Sequence, residues 1–170
     1  MVKIFSLKTI SIFWEIACLK ASPETLKGSG NIFLASLSAN FFVSLLINLN
    51  YEKISAAAVL SLLECLTLIV LTATILLYSK KYERLNKTLS ALMGVGAIIG
   101  IFAYLLIVVL PPSLLIIFRP AILIWNLSAT AKVLTHSMEI GFSRAFLIAI
   151  GYAFCLWQIL TFFYSKIAVL

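Results

Sequence analysis

Long apolar runs, separated by short polar breaks, set the pattern of this chain. Residues 32–49 read IFLASLSANFFVSLLINL, with Asn40 standing out among them. Residues 54–78 are apolar apart from small hydroxyl side chains and one acid, Glu64. Residues 88–110 run to the pair Pro111-Pro112, and residues 142–164 form the last run. A membrane helix takes about 20 apolar residues, so each of these stretches reads as a span. The segment 113–138 is less regular, because Arg119-Pro120 interrupts it. Either one kinked span covers about 113–133, or SLLIIF (113–118) is a short interfacial piece and a span covers 120–138. The second is preferred, since proline suits the first helical position. That span would carry Asn126, Lys132 and His136 and would be the most polar of the five. The expectation is an all-α polytopic membrane helix bundle of five spans over 31–170, preceded by a segment over 1–30.

The preceding segment has a different periodicity. Lys8, Ser11 and Glu15 fall on one narrow stripe of a helical wheel, and Ile4, Phe5, Ile10, Ile12, Phe13, Trp14 and Ile16 cover most of the rest. This describes an amphipathic interfacial helix, lying in the headgroup plane or docked on the bundle, with Phe13 and Trp14 as its anchors. Lys8 and Glu15 interrupt what would be a signal-peptide core, and no small-residue cleavage site follows. Ser22-Pro23-Glu24 then breaks the helix, with Ser22 placed to cap a new short turn. Lys27 to Gly30 form the hinge into the first span.

Composition agrees with a lipid solvent. Of 170 residues, 63% are hydrophobic and 11% charged, against about 45–50% and 25% in soluble domains. A water-soluble globule and a disordered chain are both excluded. Five spans take roughly 100–110 residues, which leaves no room for a separate soluble domain. A net charge of +7 would suggest nucleic acid in a soluble protein. Here the placement of the bases matters instead, and no nucleic-acid partner is expected. With odd-numbered spans running outward, one side holds Lys3, Lys8, Lys20, Lys27, Lys80, Lys81, Arg84, Lys87, Lys132 and Arg144. The other holds Lys53, Arg119 and Lys166. The positive-inside bias puts the N-terminus in the cytoplasm and the C-terminus outside. Trp157, Tyr164 and Lys166 would anchor the last span at the outer interface.

Few groups are available for chemistry. The chain has six Glu, no Asp and one His. Cys18, Cys65 and Cys155 are far apart and read as small buried hydrophobes. No triad, zinc motif, phosphate loop or carboxylate pair occurs, so no catalytic, cofactor or metal site is expected. Glu64 is the exception. An ionised carboxylate in a span costs about 2.5–3.5 kcal/mol, so it is neutral or paired. Arg119 is the partner expected from vertical position, with Lys132 and His136 fitting less well. Glu64, Arg119, Asn126, Lys132 and His136 are therefore the candidate intramembrane polar site. It is either an ion or solute relay or a device that fixes helix register. Gly94, Gly96 and Gly100 are candidate packing positions. The last two have the GxxxG spacing, for packing within the bundle or for a homodimer seam. The loop from Lys80 to Lys87 sets topology or docks a cytoplasmic partner.

The order of segments resembles the Yip-domain superfamily, including its small bacterial inner-membrane members. The residues that carry the likeness are the Trp14-to-Pro23 segment, then Trp125-Asn126-Leu127, then Gly141-Phe142-Ser143-Arg144-Ala145. The resemblance implies a non-enzymatic bundle in a bacterial cytoplasmic membrane, associated with other membrane proteins or with itself. The D-L-Y-G-P motif of the eukaryotic members is absent, since there is no Asp. The function expected first is that of an accessory, scaffold or assembly subunit packing laterally in the bilayer. The alternative is a small transporter or channel subunit built on Glu64 and the polar fourth span. A third, weaker expectation is membrane shaping by the N-terminal helix.

Overall fold

A computed structural model describes residues 7–26 and 28–167, with only the backbone for Leu7 and for 165–167. Lys3, Ile4, Phe5 and Lys27 of the sequence reading lie outside the described residues, as does the side chain of Lys166. The described residues form helices and no strand. Helix α1 covers Leu7–Ala17, and a single 3-10 turn covers Pro23–Thr25. Then come α2 (Gly30–Asn48), α3 (Ile54–Tyr78), α4 (Leu85–Val109), α5 (Pro112–Met138) and α6 (Phe142–Ile167). Helices α2 to α6 are each long and apolar enough to cross a membrane. This is an integral membrane protein.

The helix starts follow local chemistry. Ser22 Oγ accepts from the Glu24 amide at 3.3 Å, and Pro23 takes the first position of the turn. Ser29 Oγ accepts from the Ile32 amide at 3.3 Å and caps α2. One boundary differs from the preferred sequence reading: α5 begins at Pro112 and runs through Pro120. Pro112 already supplies the proline of the first turn. Pro120 then costs one intrahelical bond, to the Ile116 carbonyl, which packed membrane helices tolerate.

Chain direction defines two ends. The basic end holds Lys80, Lys81, Arg84 and Lys87; the far end holds the turns at 49–53 and 110–111. Neighbouring contacts close the helices into a ring in the order α2, α4, α5, α6, α3 and back to α2. Helices α2 and α4 run parallel and form the tightest pair. Gly96 and Gly100 make this possible. A Cβ on Gly96 would lie 2.8 Å from Asn40 Oδ1, and one on Gly100 would lie 2.6 Å from Val43 Cγ1. Both glycines therefore face α2 inside the molecule.

Of the two placements expected for α1, the structure has the docked one. The Phe13 ring covers Gly94, where a Cβ would meet it at 2.6 Å. Trp14 packs against Phe102 (centroids 5.6 Å) and edge-on against Trp125 (6.4 Å). Trp125 Nε1 donates to the Ala17 carbonyl at 2.7 Å. That carbonyl belongs to the last turn of α1, where acceptors lack helical partners. Gly94, Phe102 and Trp125 are well inside α4 and α5, so α1 leans on their midsections.

The basic end is tied by ions. Helix α5 ends on Glu139, whose φ of 58° is left-handed. Its carboxylate accepts from Lys81 Nζ at 2.6 Å and Arg84 Nη2 at 2.5 Å. Arg84 Nη1 also donates to the His136 carbonyl at 2.9 Å, and Thr88 donates to Ser137 Oγ at 2.8 Å. The Lys81 hydrogen bond first, and then the Arg84 charge, hold the Glu139 carboxyl below its ordinary value of 4.5.

Candidate functional site

Glu64 is near the middle of α3, about 15 Å along the axis from Ile54 at a 1.5 Å rise. Its neighbour is Ser44 of α2, whose hydroxyl donates to Glu64 Oε2. The donors behind Ser44 are aligned. Asn48 Nδ2 donates to Ser44 Oγ at 3.3 Å and to Ser61 Oγ at 3.0 Å. Ser61 in turn donates to the Ala57 carbonyl at 2.8 Å. Both hydrogens of the Asn48 amide are thus spent, and the Ser44 proton is aimed at the acid.

Ser44 belongs to a polar stripe with one spacing on α2. Ser36, Asn40, Ser44 and Asn48 recur every fourth position and share one face. Ser36, Asn40 and Ser44 are buried, while Leu34, Phe42 and Leu46 are exposed. Helix α2 turns its polar stripe inward and its apolar side outward, as membrane helices do. Asn40 is held beside the site: its amide reaches Cys65 Sγ at 3.7 Å, and its carbonyl rests on Gly96.

Two cavities meet at Glu64. One, of about 240 Å³, lies within the ring and takes lining from all five helices, including Asn40, Glu64, Asn126, Thr130 and Tyr152. The other, of about 400 Å³, opens at the far end between α2, α3 and α6, with Asn48, Tyr51, Glu52, Thr161 and Tyr164 around Glu64. Tyr164 donates to Glu52 Oε1 at 2.6 Å at this mouth. Between the central cavity and the basic end the bundle is filled by side chains. Leu76, Met93, Val133 and Leu134 are fully buried, and Tyr152 donates to the Leu68 carbonyl at 3.0 Å.

The sequence candidates separate. Asn126 shares the central cavity with Glu64. Arg119 does not meet Glu64: it is exposed on α5 and donates to Tyr51 Oη at 3.4 Å. Among the described residues the ion pairs are those of Glu139. Helices α4 and α6 stand between α3 and α5 in the ring, so equal height does not bring the two charges together. Lys132 lines neither cavity. His136 borders a separate recess of about 340 Å³ at the basic end, with Glu24, Arg84 and Lys87. Among the described residues, no three His, Cys, Asp or Glu side chains stand together as metal ligands. Ser44, Asn48, Ser61 and Tyr152 were missed from sequence, although the four-residue spacing on α2 was a usable signal for the first two. Comparison with family models, with curated proteins and with solved structures finds no match for this chain.

Proposed function

We propose that the protein is a small transport or channel subunit in which Glu64 is the binding group for a proton or polar solute. One observation carries this role. Glu64 forms a wall common to a mouth at the far end and a cavity inside the ring, while buried Leu76, Met93, Val133 and Leu134 fill the bundle between that cavity and the basic end. That is the geometry of a site accessible from one side. By the positive-inside rule the basic belt supports an orientation with the closed end in the cytoplasm and the open end outside. The membrane proposed is a bacterial cytoplasmic membrane. The test is flux into liposomes holding the purified protein. Glu64→Gln is expected to abolish proton- or ion-coupled flux while helical content and elution volume stay unchanged. No flux with the parent protein ends the proposal.

A second role, as an accessory or scaffold subunit, rests on α1. Lys8, Ser11 and Glu15 are exposed, although the adjacent Phe13 and Trp14 pack at the midsections of α4 and α5. A charged stripe at that depth is satisfied by a polar face on a neighbouring protein. The Yip-like order of segments belongs with this role. Gentle detergent extraction would then yield a stoichiometric complex, and recovery as a lone, active species would count against it.

A further inference from the structure

We infer that the occupant of the Glu64 cavity is an organic ammonium ion with an apolar body, not a bare metal ion. The inference rests on the transport role above and names its substrate class.

Charge is the first observation. The chain carries 13 Lys and Arg against 6 acids. Even so, among the described residues the two cavities that meet at Glu64 are lined by Glu52 and Glu64 and by no Lys, Arg or His. The path therefore has the opposite sign to the rest of the molecule. A cation meets Glu52 at the mouth and Glu64 at the end, while Arg119, beside the mouth, is turned to the Tyr51 hydroxyl at 3.4 Å.

The wall chemistry is the second. Aliphatic side chains, among them Leu68, Leu92, Ile99, Ile122 and Leu156, supply most of the central lining. A hard metal ion demands about six oxygen ligands to replace its water. The side-chain oxygens on the central wall are one carboxylate, Glu64, and the neutral groups of Asn40, Asn126, Thr130 and Tyr152, spread over four helices. An ammonium with hydrocarbon attached needs only one carboxylate and an apolar wall. The Asn126 side chain, which borders the cavity, adds one polar contact.

Size and the mouth agree. A proton needs no room, whereas about 240 Å³ is below the roughly 300–1,000 Å³ of drug-sized sites and suits a one-ring amine. Tyr51 and Tyr164 stand at the mouth beside Glu52, and phenol faces attract ammonium groups.

The test uses radiolabelled benzyltrimethylammonium, whose charge is permanent, with the full chain in nanodiscs. Saturable binding of one per chain is expected, weakened more than tenfold in Glu64→Gln and a few-fold in Glu52→Gln. A hundredfold excess of sodium or magnesium should not displace it, and benzyl alcohol should not compete. A second measurement needs no variant: carbodiimide labelling of Glu64, mapped by peptide mass spectrometry, should be blocked by benzyltrimethylammonium and not by sodium. Absence of binding, binding indifferent to Glu64→Gln with labelling unprotected, or displacement by sodium or magnesium overturns the inference. Glu64-dependent proton flux without ammonium binding sinks the inference alone and leaves the transport role standing. Ammonium binding without any flux supports the inferred ligand and removes the transport role.

Discussion

Glu64 and Glu139 are the same side chain in two solvents. Glu139, at the basic end, is half-exposed and holds two cations at 2.5–2.6 Å. Among the described residues Glu64, in the ring, has no cation and one hydroxyl donor. In water the ion pairs are screened, and a carboxylate is content with or without them. Inside a bundle the lone acid is costly, so its persistence points to use. The better-paired acid is the structural one, and the poorly paired acid is the one that leaves room for a ligand.

The contrast breaks most severely at the glycine seam. Gly96→Leu would drive a side chain into Asn40, 2.8 Å from the first added carbon. Overpacking of this kind costs about 1–3 kcal/mol. The variant is expected to lose thermal stability in detergent and all Glu64-dependent activity, whereas the Glu139 pairs are remote from it. A normal melting curve would show that α2 and α4 are not tightly apposed.

Ser44→Ala is next. It removes the one hydroxyl donor to Glu64, and a hydrogen bond to a charged group is worth about 1.5–3 kcal/mol. Carbodiimide labelling of Glu64 should rise several-fold with little change in helical content. Unchanged labelling would mean that Ser44 does not govern the acid.

Acid pH separates the two carboxylates with a smaller effect. The folded value of Glu139 is depressed, so its contribution is present above 4.5 and is lost as pH falls through the lower, folded value. Protection of the amides at 79–88 and 136–141, taken relative to the unstructured exchange rate at each pH, should fall over that range in the parent protein, and Glu139→Gln should show the weaker protection, hence faster exchange, already at pH 7. Equal rates for the two at pH 7 would remove the ionic tie. The smallest effect is expected from Arg119→Gln. With no contact to Glu64, it should leave ammonium binding within twofold of the parent; a tenfold loss would restore the charge pair that the sequence suggested.

Four spans were legible because membrane thickness fixes the length of an apolar run, and 32–49, 54–78, 88–110 and 142–164 met it, whereas Arg119-Pro120 obscured the extent of α5. Glu64 was legible because one acid among apolar neighbours has no ordinary use. Its partner was not. Height along the membrane can be counted from sequence, but neighbour order around the ring cannot, and Arg119 fails on the second. The hydroxyl partner was hidden for another reason: serines are common in membrane helices, and Ser44 gains meaning only with Ser36, Asn40 and Asn48 on the same face. Pro120 was misplaced by a rule that is sound alone, because Pro112 had already taken the position the rule describes.

The indoles of Trp14 and Trp125 lie edge to face, while Trp157 is 65% exposed on the outer side of α6. The molecule thus carries its own optical gauge. Lifting α1 away would separate the first two chromophores and leave the third as a steady background, so fluorescence alone can follow the undocking without an attached dye.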